Sequence, residues 1–254
     1  MLAKERQDRI YKWIKKEGAV TTLALVEKFR VSDETIRRDL LYMENQKLLE
    51  RVHGGAVAVG EIKPYRDFGY RREENSDNKR ALSKLAVDFI EEGDIIGIDT
   101  GSTAIHLAEA IKERFSELTV VTYSVDVLRI LGGYKNIRVI VCGGIYFPEE
   151  NCFHGEPVED MLGKLHMNKV FIFPYAVFMK NGVCDHTYNL YPLQKKLLEC
   201  ASEIFILGDS SKFEKNALYK VCEMKKEFVY ITDENLSDEL KNLYKENEFR
   251  VITE

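Results

Sequence analysis

Hydrophobic positions along the chain change their period near residue 46 and again beyond residue 80. Ile10, Trp13 and Ile14 fall at i, i+3 and i+4, the spacing of one buried helix face, and Gly18 should stop that helix. A second, short helix is expected after Thr21 or Thr22, either of which can cap it, with Leu23, Val26 and Phe29 facing inward before the turn FRVS. Ser32 can cap a third helix whose apolar stripe is Ile36, Leu40 and Met43. The far side of that helix carries Glu34, Arg37, Arg38, Leu41 and Asn45, with Leu41 expected to lie under whatever follows. The next run, LLERVHGGAVAV, exchanges helical spacing for a β-like pattern broken by Gly54-Gly55, which predicts a hairpin wing.

Residues 60–80, GEIKPYRDFGYRREENSDNKR, hold Pro64, two glycines and many charges but few aliphatics, and read as a linker. Beyond them, apolar runs at 94–99, 118–124, 137–144, 169–173, 203–209 and 227–233 alternate with helical stretches that include 79–91, 103–114 and 192–201. Strands apolar on both faces and joined by helices make a mainly parallel sheet. The expected architecture is α/β, an N-terminal winged helix-turn-helix (1–58), a linker (59–75) and a larger α/β domain (76–254).

The 254 residues, 45% hydrophobic, suffice for two cores. No apolar run approaches the length of a membrane span, and the charged start MLAKERQDRI does not resemble a secretion signal, so a soluble, cytoplasmic protein is expected. Five cysteines without a C-x-x-C pair point to reduced structural thiols, not to a disulfide framework or a zinc site. Charge is uneven. Residues 1–58 carry 12 Lys and Arg against 9 Asp and Glu, while the whole chain has 37 against 42. A mildly basic head on an acidic body suggests different partners for the two parts.

Two short helices joined by a tight turn, the second polar and basic at its N-terminal half, can set that helix in the major groove of double-stranded DNA. Arg can there pair with guanine or phosphate, and the wing would bring Arg51 and His53 to the backbone or minor groove. Basic side chains on a helix are more often plain solvated surface, and here the neighbouring elements favour the DNA reading. The run VSDETIRRDLLYMENQKLLERVHGGAV, with KERQDRI upstream, closely resembles the winged helix-turn-helix of DeoR-type bacterial transcriptional regulators, marked by TIRRDL and R-x-HGGA, without a gap over residues 4–57. The resemblance implies DNA contact by Ser32, Thr35, Arg37 and Arg38 in the groove and by Arg51 and His53 on the wing.

In the body, IIGIDTGSTAIHLAEAI ends a strand at Asp99 and opens a helix at Ser102-Thr103, whose free N–H groups favour an anion. The same residues would also serve as an ordinary strand-to-helix turn. LGDSSKF sets Lys212 at another strand end, as a point charge for a phosphate or as part of a polar loop. Both junctions resemble the effector domain of the same regulators, similar in fold to ribose-5-phosphate isomerase and generally sensing phosphorylated sugars. The resemblance implies a pocket of Asp99, Gly101, Ser102, Thr103, Thr122, Gly143, Gly144 and Lys212.

Departures from that pattern fall at one end of the expected pocket. Phe173 stands where the family usually has glycine, Leu190 where it has an acid and Gln194 where it has lysine. The expectation is a repressor of a carbohydrate or related operon, released from operator DNA by a phosphorylated metabolite. It would need no cofactor or metal and would assemble as a homodimer or tetramer. Two alternatives stay open: a DNA-binding regulator with a degenerate pocket, and a sugar-phosphate isomerase-like enzyme. The second would need a carboxylate base matched with a lysine, and no such pair survives.

Overall fold

The computed structural model describes residues 2–17, 19–46, 48–52, 54–58 and 68–253. The N-terminal unit begins with α1 (Ala3–Glu17), β1 (Ala19–Thr21) and α2 (Thr22–Phe29), followed by α3 (Asp33–Asn45) and the hairpin β2 (Leu49–Val52) and β3 (Gly55–Ala58). Thr21 caps α2 by accepting from the Ala24 N–H at 3.0 Å. Ser32 caps α3 by accepting from the Thr35 N–H at 3.3 Å. Ile10 and Ile14 of α1, Leu25 and Phe29 of α2, and Ile36, Leu40 and Met43 of α3 close one core with Leu49 and Ala56 of the hairpin.

The pattern misplaced two leucines. Leu23 is 62% exposed and Leu25 takes the inward position, because Leu25 and Phe29 lie one helical turn apart and Leu23 sits some 200° away from Leu25. Leu41 also faces out, 46% exposed, since its neighbour Leu40 is turned to the core. β1 was not anticipated. It pairs antiparallel with β3 and turns the hairpin into a three-stranded sheet, β1-β3-β2.

The body opens with α4 (Phe68–Glu73), inside the stretch that reads as linker, and continues with α5 (Ser76–Ala86). There follow β4 (Ile95–Ile98), α6 (Ser102–Arg114), β5 (Leu118–Thr122), α7 (Val125–Leu131) and β6 (Ile137–Val141). A small hairpin, β7 (Ile145–Phe147) with β8 (Cys152–His154), leads to α8 (Glu156–Leu162), β9 (Met167–Ile172), β10 (Ala176–Phe178), β11 (Gly182–Asp185) and α9 (Tyr191–Glu199). The last elements are β12 (Ala201–Leu207), β13 (Tyr219–Cys222), β14 (Val229–Ile231), α10 (Asp238–Glu246) and β15 (Arg250–Ile252).

Seven of these strands form an entirely parallel sheet in the order β15-β14-β12-β9-β4-β5-β6. Side chains alternate between its faces. Phe205 and Leu207 pack with α5, α6 and α7 through Leu82, Leu107 and Val127, while Ile206 packs on the other face with Leu162, Leu193 and Tyr244 of α8, α9 and α10. The six apolar runs of the sequence all become strands of this sheet. The edge strand β15 is only RVI, too short to stand out by pattern.

The strand order places a site. From β4 the chain builds outward through β5 to β6, then returns to the other side of β4 and builds outward again through β9, β12, β14 and β15. The reversal leaves a crevice between the C-terminal ends of β4 and β9, where ligands of open parallel sheets bind. Beside it lies a second, antiparallel sheet, β10-β11-β13. No helix among the described residues is long and apolar enough to cross a membrane. The five cysteines are unpaired with one another, and all but the half-buried Cys222 are buried.

Candidate functional site

The residues of TIRRDL divide by face. Ile36 and Leu40 enter the core, while Arg37 and Arg38 point into solvent. Each arginine is held loosely by the acid one turn earlier, Arg37 to Asp33 at 2.5 Å and Arg38 to Glu34 at 3.8 Å, with more than half of each side chain exposed. Exposed pairs of this kind contribute little to stability. Ser32 and Thr35 are joined at the helix start, hydroxyl to hydroxyl, at 2.8 Å. Asp39 turns the other way: buried, it accepts from the Arg6 guanidinium and, at 2.8 Å, from the Gln7 amide, tying α3 to α1.

On the wing, the Arg51 N–H donates to Glu44 of α3 at 2.9 Å, and its guanidinium lies 3.8 Å from the same carboxylate. His53 lies outside the described residues. Gly54, at φ +87°, passes so close to the body that a Cβ there would meet the Tyr219 hydroxyl at 2.6 Å. Only glycine tolerates both the conformation and the approach.

At the switch point, three adjacent strands end together. β4 gives way to Asp99, Thr100 and Gly101 before α6 starts at Ser102; β9 runs into Phe173-Pro174; β12 runs into Gly208. Gly101, at φ +141°, allows the turn to close directly onto the helix. The cavity between these ends is lined by Ser102, Thr103 and Lys212 on its polar side and by Phe173, Tyr175, Leu190 and Leu207 on its apolar side. Arg71 and Glu150, ion-paired and nearly buried, close it. About 30 Å³ of space remains, enough for a water molecule and far too little for a sugar.

Beneath the cavity lies a carboxylate pair. Asp99 is fully buried and accepts from the Tyr123 hydroxyl, the Phe173 N–H at 3.1 Å and the Gln194 amide at 3.0 Å. Gln194 also donates to Asp185 at 3.0 Å. Burial raises Asp99 to about 7, although all three donors pull it down. Burial likewise raises Asp185 to about 6, against the Thr187 N–H, while Glu150 adds to the rise. Burial also lowers Lys212, which lines the cavity, and takes Lys79 of α5 down to about 8. Asp209 opposes both shifts, and Arg71 reinforces both.

The structure thus brings Gly101, Ser102, Thr103 and Lys212 together around one cavity that Asp185 also lines, while Asp99 is fully buried and does not line it. Thr122 lies one strand away, bonded to the Ile98 carbonyl at 2.8 Å. Gly143 and Gly144 do not line the cavity, and Gly144 packs against His154 and Val158. Phe173 and Leu190 do line it, whereas Gln194 lies beneath in the floor. Pattern reasoning missed Arg71, Glu150 and Tyr123. Arg71 belongs to a charged run that looks like a linker, and the other two gain meaning only from long-range packing.

Residues 6–61 match the DeoR-like helix-turn-helix domain and residues 74–234 the DeoR C-terminal sensor domain. The chain is 30% identical to the L-fucose operon activator of Haemophilus influenzae, over 97% of this chain and 98% of that one. It is 32% identical to the lactose phosphotransferase system repressor of Streptococcus mutans, over 98% and 99%. Among solved structures it is similar to ribose 5-phosphate isomerase A of Methanocaldococcus jannaschii, at 20% identity and a TM-score of 0.40, over 55% of each chain. With both domains matched in order across nearly its whole length, the chain belongs to the DeoR family of DNA-binding transcriptional regulators.

Proposed function

We propose that the chain is a repressor of a carbohydrate operon, held on operator DNA by α3 and the wing and released by a phosphorylated metabolite bound between β4 and β9. The observation that carries the effector half is the pair of cations Arg71 and Lys212 that line the cavity beside the free N-terminus of α6, with Lys79 near both. Two cations line the cavity with the third close by, set against the carboxylates of Glu150 and Asp185, and cations beside a helix N-terminus suit an anion. For the DNA half, the exposed Arg37 and Arg38 of α3 and Arg51 of the wing supply the cations, with Ser32, Thr35 and His53 proposed beside them. A homodimer or tetramer fits this reading, since one winged unit spans only a short stretch of duplex.

Catalysis is not part of the proposal. A sugar-phosphate isomerase needs a charged carboxylate base and an ammonium beside it, and the floor of this cavity offers Asp99 and Asp185 bridged by a neutral amide. The test is to select a binding duplex from a random DNA pool, measure binding to it, and add phosphorylated sugars and alcohols singly. Loss of the complex with at least one of them supports the reading. A chain that binds the selected duplex identically in every phosphorylated compound is a regulator with a degenerate pocket. An isomerase assay on the same protein should give no turnover.

A further inference from the structure

Several polar contacts tie α4 and the turn after it to the body. None of its six residues is buried, and on one flank a cleft separates it from α6, lined by Gly69, Arg72, Ser102 and His106. Three anchors hold the segment. Arg71 pairs with Glu150, Lys79 donates to the carbonyls of Arg71 and Glu74, and the Asn75 amide donates to Asp209 at 3.2 Å. Arg71 is the one of these whose side chain enters the cavity, and its partner Glu150 is 2% exposed. The same helix begins ten residues after β3 ends and is the first described element after the DNA-binding unit.

With Arg71 and Glu150 paired, the enclosed space is about 30 Å³, less than a sugar phosphate fills. Of the pair, only Glu150 is repelled by an arriving anion. Resting on the reading of the cavity as an anion receptor, we propose that Arg71 is itself an effector ligand, taken from Glu150 by the anion, and that this exchange moves α4 and so reports occupancy to the DNA-binding unit. A guanidinium suits the exchange because it can transfer paired hydrogen bonds from a carboxylate to a phosphate without changing charge.

Competition gives the two partners opposite signs. Inorganic phosphate serves as the probe, titrated into the full chain and followed by calorimetry and by its shift of Tm. Arg71→Gln should weaken phosphate binding about tenfold or more, the usual consequence of losing a charge-assisted hydrogen bond. Glu150→Gln should tighten it several-fold by removing the competitor. A pair that serves only to hold the fold would move both variants the same way, or neither, and that result overturns the proposal. Ser102→Ala with Lys212→Ala separates the two levels: if this variant weakens binding while Arg71→Gln does not, the receptor stands and the role of Arg71 is lost. If the wild-type chain binds no phosphate, the receptor reading falls and the role of Arg71 with it.

Discussion

Gln194 donates one hydrogen bond to Asp99 and another to Asp185, each 3.0 Å long, from a position with no solvent exposure. Its carbonyl oxygen is buried with no partner. An amide thus sits where two carboxylates converge. It supplies donors but no charge, so burial dominates and both acids are pushed toward their protonated forms. An orphaned acceptor of this kind costs about 1 to 3 kcal/mol.

That arrangement predicts a pH dependence. Both carboxyls have folded-state values, about 7 and about 6, above the ordinary 3.8, so between these values the folded chain holds protons the unfolded chain has released. Their contribution to stability is fully present below about pH 4 and is lost as pH rises through 6 and 7, at up to about 1.4 kcal/mol per pH unit for each group. Gln194→Lys would set an ammonium between the carboxylates, remove the orphaned oxygen and lower both values. Urea unfolding at pH 5 and pH 8 should show the wild-type chain losing stability at the higher pH and the variant losing much less. An unchanged difference would show that the two acids titrate as they do in the unfolded chain.

Asp39 stands beside Arg38 in sequence yet serves the fold. Its carboxylate is buried against Arg6 and Gln7, and removing one partner of a buried ion pair costs about 3 to 5 kcal/mol because the other charge is left uncompensated. Asp39→Ala should therefore lower the Tm of the N-terminal unit by several degrees, while Arg38→Ala, a solvent-facing change, should leave it within about 0.5 kcal/mol of wild type. Circular dichroism melts of both variants decide the matter.

How much of this was legible in the sequence depends on the range of the contact. The caps at Thr21 and Ser32, the stripe Ile36-Leu40-Met43 and the six apolar strands are local patterns, and each becomes the element it predicts. Leu23 shows the limit even there, since a helix of eight residues leaves its phase open by a position or two. In the site, Ser102, Thr103 and Lys212 carry strand-end signals. Arg71 and Glu150 stand 79 residues apart, and no local pattern joins them. The same holds for Tyr123 under Asp99, where only the pairing of β4 with β5 brings the two together.

On DNA, the exposed faces assign different effects to different arginines. Arg38→Ala should cost about 1 to 3 kcal/mol on a selected duplex and blunt discrimination at one position, while Arg51→Ala should weaken all sequences alike and reduce the salt dependence. Titrations against selected and scrambled duplexes at two salt concentrations separate them. Equal losses on both duplexes for Arg38→Ala would move it from base reading to phosphate contact.

Wing and body meet at Gly54 and Tyr219, and Tyr219 is the register partner of Asp185 beside the cavity. Its ring stacks on Tyr191 of α9, centroids 5.1 Å apart. Gly54→Ala would bring a methyl within 2.6 Å of the Tyr219 hydroxyl and force an unfavourable φ. Tyr219→Phe removes that hydroxyl and keeps the stack. If the clash governs, adding Tyr219→Phe to Gly54→Ala should recover part of the lost stability, the remainder being backbone strain; a double variant no more stable than Gly54→Ala would assign the whole cost to the backbone.

The apolar side of the cavity bears on which phosphorylated compounds fit. Phe173 and Leu190 line the cavity with Tyr175, and Phe173 lies next to Gly101 at the start of α6. A polyhydroxylated chain placed there would leave hydroxyls unpaired at about 1 to 3 kcal/mol each. Ordinary pentose and hexose phosphates should bind weakly, and a phosphorylated compound with an apolar or aromatic portion should bind better. A thermal-shift screen reads the difference, because ligand at about 100 times its Kd adds roughly 2.7 kcal/mol of stability. Phe173→Gly should open the apolar end and raise the affinity for ribose 5-phosphate relative to the apolar compound. Micromolar binding of ribose 5-phosphate by the wild-type chain, unchanged by Phe173→Gly, would mean that the ring does not restrict the site.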